Sequence, residues 1–443
     1  MAWTNAFPCR RERRDTQASL DDPQTMTVMR SRNACKPSPL ARLRRVLIEF
    51  ARDADDLIGE RATRARVLFV STDEYAFACH APVVRAMLAT GEVVTRVSVL
   101  NSRGGGGLQS AALSDAGLPG SVFVPSGRAR LAKWHMVVSS HLNTFYPARR
   151  ALRVYMHHGP GFGILGNKTA IAMKNDVFLG LSEAERRWFE TLRPGIFERE
   201  RAFFAVGFPK SDALVRGDYD RAATLASLGL QQRPTILITS HWQPAATVRI
   251  LGDAPLRLLA TAFPGNNVIQ TGHPWLWEPN RDIPADWQRE LTARLRDVES
   301  SHPNARFVQT SDVEPLLAAA DLLVADHSSV MTTFSLTDRP IVFFDNPQME
   351  FCIAEFHDLF RRASHTFSPP EEIAPACRAA LAGPQARAAG RRAMRETFYA
   401  NPGHAAEAAA HVLASIGSVC SVRSPKWARI LAMSHGQGAA ALP

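Results

Sequence analysis

Ten short apolar runs, each closing in polar or small residues, limit what this chain can fold into. They read RVLFVS (66–71), VVTRVSVL (93–100), HMVVSS (135–140), LRVYM (152–156), DVFLGLS (176–182), TILITS (235–240), NNVIQTG (266–272), ARFVQT (305–310), DLLVAD (321–326) and PIVFFD (340–345). Most do not alternate apolar with polar residues, so they read as strands buried on both faces. Between several of them lie stretches with helical spacing: PVVRAMLATG, EAERRWFETL, LRLLATAF, WQRELTARLRDVESS and VEPLLAAA. Parallel strands need a long crossover between neighbours, and a helix supplies it. The runs form two series, separated around 216–234, where GDYDRAATLASLGLQQRP reads as a helix plus linker. The expectation is an α/β chain with two open parallel sheets. Ligands of such sheets bind beyond the strand C-termini, so the informative residues should follow the strands.

A chain of 443 residues is too long for one ordinary core. The expected divisions are a disordered basic tail (1–38), an amphipathic helix (39–65), an N-terminal sheet domain (66–225), a C-terminal sheet domain (226–416) and a closing tail (417–443). The last helix is expected over about 404–416, ending at Gly417. In PLARLRRVLIEFARDADDLI, residues Leu40, Leu43, Val46, Leu47, Phe50, Leu57 and Ile58 share a face, and Arg42, Arg44 and Arg45 crowd one end. Such a helix either lies on an anionic membrane surface or packs on the next domain. The tail segment VRSPKWARIL (422–431) is a second candidate for an anionic surface. The formal charge is +10, and residues 1–66 hold 14 Arg or Lys against 9 Asp or Glu. With much of the excess in the tails, no nucleic-acid groove is expected along the fold, and no RNA-binding or zinc-finger signature is present. No apolar run is long enough to cross a bilayer. The N-terminus MAWTNAFPCRRERRDTQ lacks the apolar stretch of a secretory signal. The six cysteines, at 9, 35, 79, 352, 377 and 420, form no Cys-x-x-Cys pair, which fits a reducing cytoplasm and argues against zinc held by cysteine.

The chemistry-bearing residues do follow strands. His157, His158 and Gly159 close LRVYM and open GPGFG. An imidazole there can take a proton from an attacking hydroxyl; the plain alternative is a buried, satisfied pair. Asp326, Ser328 and Ser329 follow DLLVA and open a helix, whose unpaired N–H groups and hydroxyls suit a phosphate; N-capping is the alternative. His273, after NNVIQT, can contact a phosphate oxygen or protonate a leaving group. His241 and Trp242 follow TILITS, and the indole either stacks on a base or packs. In FPKSD, Lys210 can pair with an anion or stay solvated, and Asp212 can cap the following turn. NSRGGGGLQ (101–109) reads as a flexible loop. No Walker loop, dinucleotide fingerprint, Gly-x-Ser-x-Gly elbow or HExxH is present, and no carboxylate cluster suggests magnesium.

Taken in order, HHGPGFG…NK (157–168), GFPKSD (207–212), ILITSHW (236–242), GHP (272–274), AADLLVADHSS (319–329) and RPIVFFDNP (339–347) resemble the CDP-glycerol glycerophosphotransferase family, which includes teichoic acid and capsule polymerases. The resemblance implies a GT-B-like fold of two Rossmann-like domains, with the acceptor on the first domain and the nucleotide donor on the second. It implies a metal-independent transfer with no cofactor beyond a CDP-linked donor, to a lipid-linked or polymeric acceptor, on the cytoplasmic side of the membrane. By motif, His158 is the candidate general base. His273 steadies pyrophosphate charge or assists the leaving group, and Ser328 and Ser329 hold phosphate, with Asp326, Lys210 and His241 on the donor side and His157 and Gly159 in support. His327 stands where the family has tyrosine, Lys210 where it has arginine, and the Trp275-Leu276-Trp277 run departs from the pattern. A nucleotide-sugar glycosyltransferase or epimerase and a catalytically silent nucleotide-binding protein at the membrane are the competing readings.

Overall fold

Among the described residues of the computed structural model, twelve strands form. It describes residues 39–40, 43–44, 46–48, 50–51, 64–99, 116–140, 151–160, 174–199, 201–280, 282–349, 351, 353–420 and 427–436. Those of the first half are β1 (Arg66–Ser71), β2 (Val94–Val99), β3 (Met136–Ser139), β4 (Leu152–Met156), β5 (Val177–Gly180) and β6 (Ala202–Ala205). Those of the second half are β7 (Thr235–Ile238), β8 (Asn267–Gln270), β9 (Ala305–Phe307), β10 (Leu322–Ala325), β11 (Ile341–Phe344) and β12 (His365–Phe367). Among the helices, seven matter below: α1 (Glu74–Thr90), α2 (Glu183–Leu192), α3 (Glu314–Ala319), α4 (Ser329–Phe334), α5 (Ala388–Phe398), α6 (Ala405–Val419) and α7 (Trp427–Gly436). The basic tail 1–38, the glycine loop at 101–109, residues 52–63 and the segment 161–173 lie outside the described residues.

Both sheets are six-stranded and wholly parallel, ordered β2-β1-β3-β4-β5-β6 and β12-β11-β10-β7-β8-β9. The strand order reverses between β1 and β3 in the first sheet and between β7 and β10 in the second. At such a switch point the crossovers leave in opposite directions and open a crevice beyond the strand ends. The fold is the α/β architecture expected from the ten apolar runs. Two short edge strands were not read from the sequence. Only part of β6 stood out, as the segment before Lys210, and the three-residue β12 is partly exposed, too brief to show a pattern.

One apolar cluster runs from the first sheet (Phe69, Val138, Tyr155, Phe178) to one face of the second (Leu237, Ile269, Ala325, Phe343), so the two halves share a core. The C-terminal segment ties them further. Helix α6 packs on α1 of the first half. Its start is capped across the fold by Asp212, whose carboxylate accepts from Ala405 N (3.0 Å) and Ala406 N (2.8 Å). Asp212 therefore caps a helix nearly two hundred residues away rather than its own turn. Gly207, in the same motif, has φ +95°, and a β-carbon there would sit 2.0 Å from the Ala400 carbonyl oxygen, so the chain can pass only as glycine. Gly417 does not end α6. It lies inside the helix, where a β-carbon would come within 2.9 Å of Val93 Cγ1, so its smallness serves close packing.

Local chemistry sets the ends of the other helices. Helix α1 begins eight residues before the Pro82 that marks it in the sequence, because the Asp73 carboxylate caps it by accepting from Ala76 N (2.8 Å). Helix α2 begins at Ser182, whose hydroxyl accepts from Glu185 N (3.2 Å). The closing tail is not wholly irregular: α7 folds back on the first half, with Ile430 buried and His435 Nε2 2.9 Å from the Phe197 carbonyl oxygen. Among the described residues no helix is long and apolar enough to cross a membrane. Residues 39–51 form a separate unit that is helical wherever described.

Candidate active site

The residues expected to carry chemistry follow strand C-termini: Asp326, Ser328 and His241 at the second-half switch point, His273 one strand from it, and His158 one strand from the first-half switch point. Strand β4 stops at Met156, and the chain turns through His157, His158 and Gly159. Gly159 has φ +135°, a conformation that disfavours a side chain. His158 Nδ1 lies 2.9 Å from the Ser140 carbonyl oxygen. A carbonyl only accepts, so Nδ1 carries a proton, and the lone pair of the neutral ring is on Nε2. That is the tautomer a general base needs. The Tyr75 ring meets it edge-on, centroids 6.5 Å apart.

His157 points the other way. It is buried, with Nε2 2.6 Å from Glu185 Oε1, while the second oxygen of that carboxylate accepts from Leu181 N (2.7 Å). It anchors the turn to α2 and does not face the crevice chemistry. The two adjacent histidines thus have separate tasks.

In the second half, β10 is followed by Asp326, His327, Ser328 and then α4. The Asp326 carboxylate is fully buried and binds its own protein: it accepts from Ser240 Oγ (2.8 Å), His241 N (2.9 Å) and Thr247 N (2.8 Å). Burial raises its pKa, and these hydrogen bonds oppose the rise. It shapes the loop after β7 and has little left to offer a ligand, contrary to the donor-binding expectation. Ser328 is different. Its Oγ is buried and has no hydrogen-bond partner among the described residues. A buried, unsatisfied hydroxyl at a helix start is costly unless something binds there. Ser329, half-buried, opens α4, and its carbonyl accepts from Thr332 and Thr333 Oγ1 (2.8 and 3.0 Å).

His241 and His273 lie with centroids 5.7 Å apart, beside Trp242 and Trp275, whose rings are 4.8 Å apart. His241 Nδ1 accepts from Gln243 N (3.2 Å) and His273 Nδ1 from Trp275 N (3.1 Å). Each neutral ring therefore has its proton on Nε2 and can donate it to an anionic oxygen. Burial lowers the pKa of His241 to about 4, and burial together with His241 lowers that of His273 to about 3. His327, the departure from the family tyrosine, sits against Phe351 (4.2 Å) and Phe360 (5.6 Å), and burial lowers its pKa to about 3.

The depressed pKa of His273 has a testable sign. An ordinary histidine near 6.5 in the unfolded chain takes up protons that the folded His273 refuses until about pH 3. The stability it leaves intact above pH 6.5 is lost as the pH falls toward 3. His273→Gln removes that proton uptake, so its melting temperature should fall less than the parent's between pH 6.5 and 4. Equal declines would reject the assignment.

Lys210 is already engaged by carboxylates of the second half. Its ammonium is buried, 2.8 Å from Asp312 Oδ1 and in closer contact with Glu314, with the Tyr75 ring 5.1 Å away. Burial alone would lower its pKa, but Glu314 and Asp312 raise it above the ordinary lysine value. Glu314, likewise buried, has its carboxyl raised to about 7 by desolvation, against the pull of Lys210. Lys210 is a strut between the halves.

The two halves meet at the site itself. A β-carbon built at Gly159 would lie 3.8 Å from Ser329 Cβ and 3.9 Å from the Tyr75 hydroxyl. The His158 turn and the start of α4 therefore share one crevice. Sequence reading missed Tyr75, His80, Glu185, Asp312 and Glu314. None follows a strand directly, and only the S-x-x-E spacing of Ser182 and Glu185 carried a local signal.

Residues 167–352 match the family described as CDP-Glycerol:Poly(glycerophosphate) glycerophosphotransferase, a stretch that starts just after the His158 turn. No curated protein sequence matches the chain. The fold is similar to that of the wall teichoic acid polymerase TagF, with TM-score 0.58 and 15% identity over 85% of this chain and 96% of that one. A histidine variant of that polymerase gives TM-score 0.60 and 15% identity over 83% and 92%. It is also similar to UDP-GlcNAc 2-epimerase from Neisseria meningitidis, with TM-score 0.53 and 12% identity over 79% and 100%. These likenesses establish a GT-B-like fold. With the family match, they lead to one conclusion: the chain has a GT-B-like fold and over residues 167–352 matches the CDP-glycerol:poly(glycerophosphate) glycerophosphotransferase family.

Proposed function

We propose that this enzyme transfers a glycerol phosphate, or a similar alditol phosphate, from a CDP-linked donor to a hydroxyl of a cell-surface polymer or its lipid-linked primer, releasing CMP. The observation that carries this reading is the approach of the His158 turn, at Gly159, to Ser329 at the start of α4, the neighbour of Ser328, whose buried hydroxyl has no hydrogen-bond partner among the described residues. In the reaction, His158 Nε2 takes the proton of the acceptor hydroxyl. The freed oxygen attacks the β-phosphorus, the bond from that phosphorus to the CMP oxygen breaks, and the electron pair leaves with CMP. The Nε2–H groups of His241 and His273, the Ser328 hydroxyl and the first N–H groups of α4 donate to the phosphate oxygens, where charge builds as the bond breaks. The Trp242 and Trp275 rings offer a flat face for the donor base or the acceptor. A structure of the TagF variant soaked with CDPG supports a donor of this class.

The test is incubation with CDP-glycerol, CDP-ribitol and a UDP-linked sugar, each with a lipid-linked acceptor. CMP release and a product heavier by one alditol phosphate are expected. UDP release alone would move the reading to the nucleotide-sugar chemistry of its structural relatives, and tight CDP binding without turnover would make it a silent binder.

A capsule or teichoic acid polymer as product, and a site of action at the cytoplasmic membrane face, belong to the same proposal. Its support is the exposed apolar side chains of Leu40, Leu43, Val46, Leu47 and Phe50 on the helical residues described within 39–51, with Arg44 among them. One basic residue contributes about 1 kcal/mol near an anionic surface. The full chain should therefore float with anionic vesicles at low salt and stay behind with neutral ones. Recovery at the bottom with both would remove the membrane role.

A further inference from the structure

The mechanism uses His158 but leaves a wholly buried histidine behind it, His80, without a task. His80 lies on α1, wholly buried, edge-on to Phe69 with centroids 5.4 Å apart. Its Nδ1 is 2.9 Å from Ser71 Oγ and its Nε2 is 2.8 Å from Ser140 Oγ. Ser71 ends β1 and Ser140 follows β3. These strands are neighbours in parallel register, with Val70 opposite Ser139, so the two serines are the next pair beyond the sheet. That is the first-half switch point: Ser71 still pairs with Val99 of β2, but the pairing of β1 with β3 ends at Val70 and Ser139. The imidazole spans the opening and ties both ends to α1. The same Ser140 presents its carbonyl oxygen to His158 Nδ1.

We propose that His80 is a positioning residue for the catalytic base: through Ser140 it fixes the carbonyl that holds the His158 ring in its Nδ1–H tautomer and aims Nε2 at the acceptor hydroxyl. The inference rests on the reaction proposed above. An apolar side chain would fill the same space, but it would leave two buried hydroxyls unsatisfied and the Ser140 peptide without a side-chain anchor. Outer partners that orient a reactive imidazole typically matter by about 10- to 100-fold, and an ångström-scale displacement of a reacting group has effects of the same order.

The obvious variant, His80→Leu, strands Ser71 and Ser140 and can fail through folding alone. The decisive protein is the triple variant Ser71→Ala, His80→Leu, Ser140→Ala, in which every member of the buried network becomes apolar, a replacement that is often nearly neutral for stability. Its melting temperature should stay close to the parent's. Its kcat for CMP release should fall about 10- to 100-fold while KM for the donor is unchanged within about twofold. In 15N-histidine spectra, the His158 resonance should move from a single Nδ1–H form toward a mixture of tautomers. Parental kcat with an unchanged His158 tautomer would overturn the proposal, as would a kcat loss accompanied by an equal rise in donor KM. The spectrum needs no donor. If the parent turned over no CDP-linked substrate, the proposed function would fall, while the spectrum would still decide whether His80 sets the His158 ring.

Discussion

His158→Ala should reduce kcat for CMP release by roughly 10²- to 10⁴-fold, the range in which a positioned general base contributes. A thousandfold loss corresponds to about 4 kcal/mol of transition-state stabilisation. The structure makes the loss specific to chemistry. His158 is half-buried, and its bond to the Ser140 carbonyl, at 2.9 Å, is one neutral hydrogen bond worth about 1 kcal/mol net, so folding should be little affected. Donor KM should also stay near the parental value, because in the proposed reaction the ring acts on the acceptor hydroxyl while the donor contacts come from the second half. His158→Asn sharpens the experiment. An asparagine amide can still donate to the Ser140 carbonyl, yet it has no nitrogen lone pair to accept a proton. If the imidazole works as a base, Asn should be as inactive as Ala. An Asn variant that kept more than a tenth of parental kcat would reduce His158 to a structural peg.

Much of this site was legible in the sequence because parallel α/β folds place their ligands by topology. Residues that follow buried strands lie at the sheet end where such folds bind ligands. That rule singled out His158, His241, His273, Ser328 and Ser329, all of which the structure places just beyond strand ends. It said nothing about which way a side chain points once the strand has ended. His157 and His158 are adjacent, and only the third dimension shows that one meets Glu185 in the interior and the other meets the Ser140 carbonyl. The partners of Asp326 and Lys210 were hidden for a related reason. Their charges satisfy groups distant in sequence, the loop N–H groups at 241 and 247 and the carboxylates at 312 and 314, so no local pattern announces the engagement. His80 was invisible because a histidine inside a helix reads like any other buried residue until its two serine partners converge on it.

The Lys210 strut leads to the largest expected loss of stability. Lys210→Met removes the ammonium and leaves Glu314, which is 2% exposed, as a buried carboxylate without its counter-charge. Breaking a buried pair from one side costs about 3–5 kcal/mol, because the remaining charge keeps its desolvation penalty and loses its compensation. The pH dependence has a definite sign. Burial already raises the Glu314 carboxyl to about 7, above its unfolded value near 4.5, and losing the lysine raises it further. A carboxyl of that kind contributes stability that is full below about pH 4.5 and is lost as the pH rises through its folded pKa. The gap between parent and variant, read by urea denaturation, should therefore be widest at pH 8 and narrow toward pH 5. Adding Glu314→Leu to Lys210→Met removes the stranded charge and should recover most of the loss, while Asp312, largely exposed, stays hydrated. The double variant also separates a strut from a phosphate ligand: its donor KM should match the parent's, whereas a lysine that grips the diphosphate would leave KM raised at least tenfold, a loss of about 1.4 kcal/mol in binding. A single variant within about 1 kcal/mol of the parent at pH 8, well short of the one-sided loss expected for a buried pair, would show that the two halves are not braced by this contact.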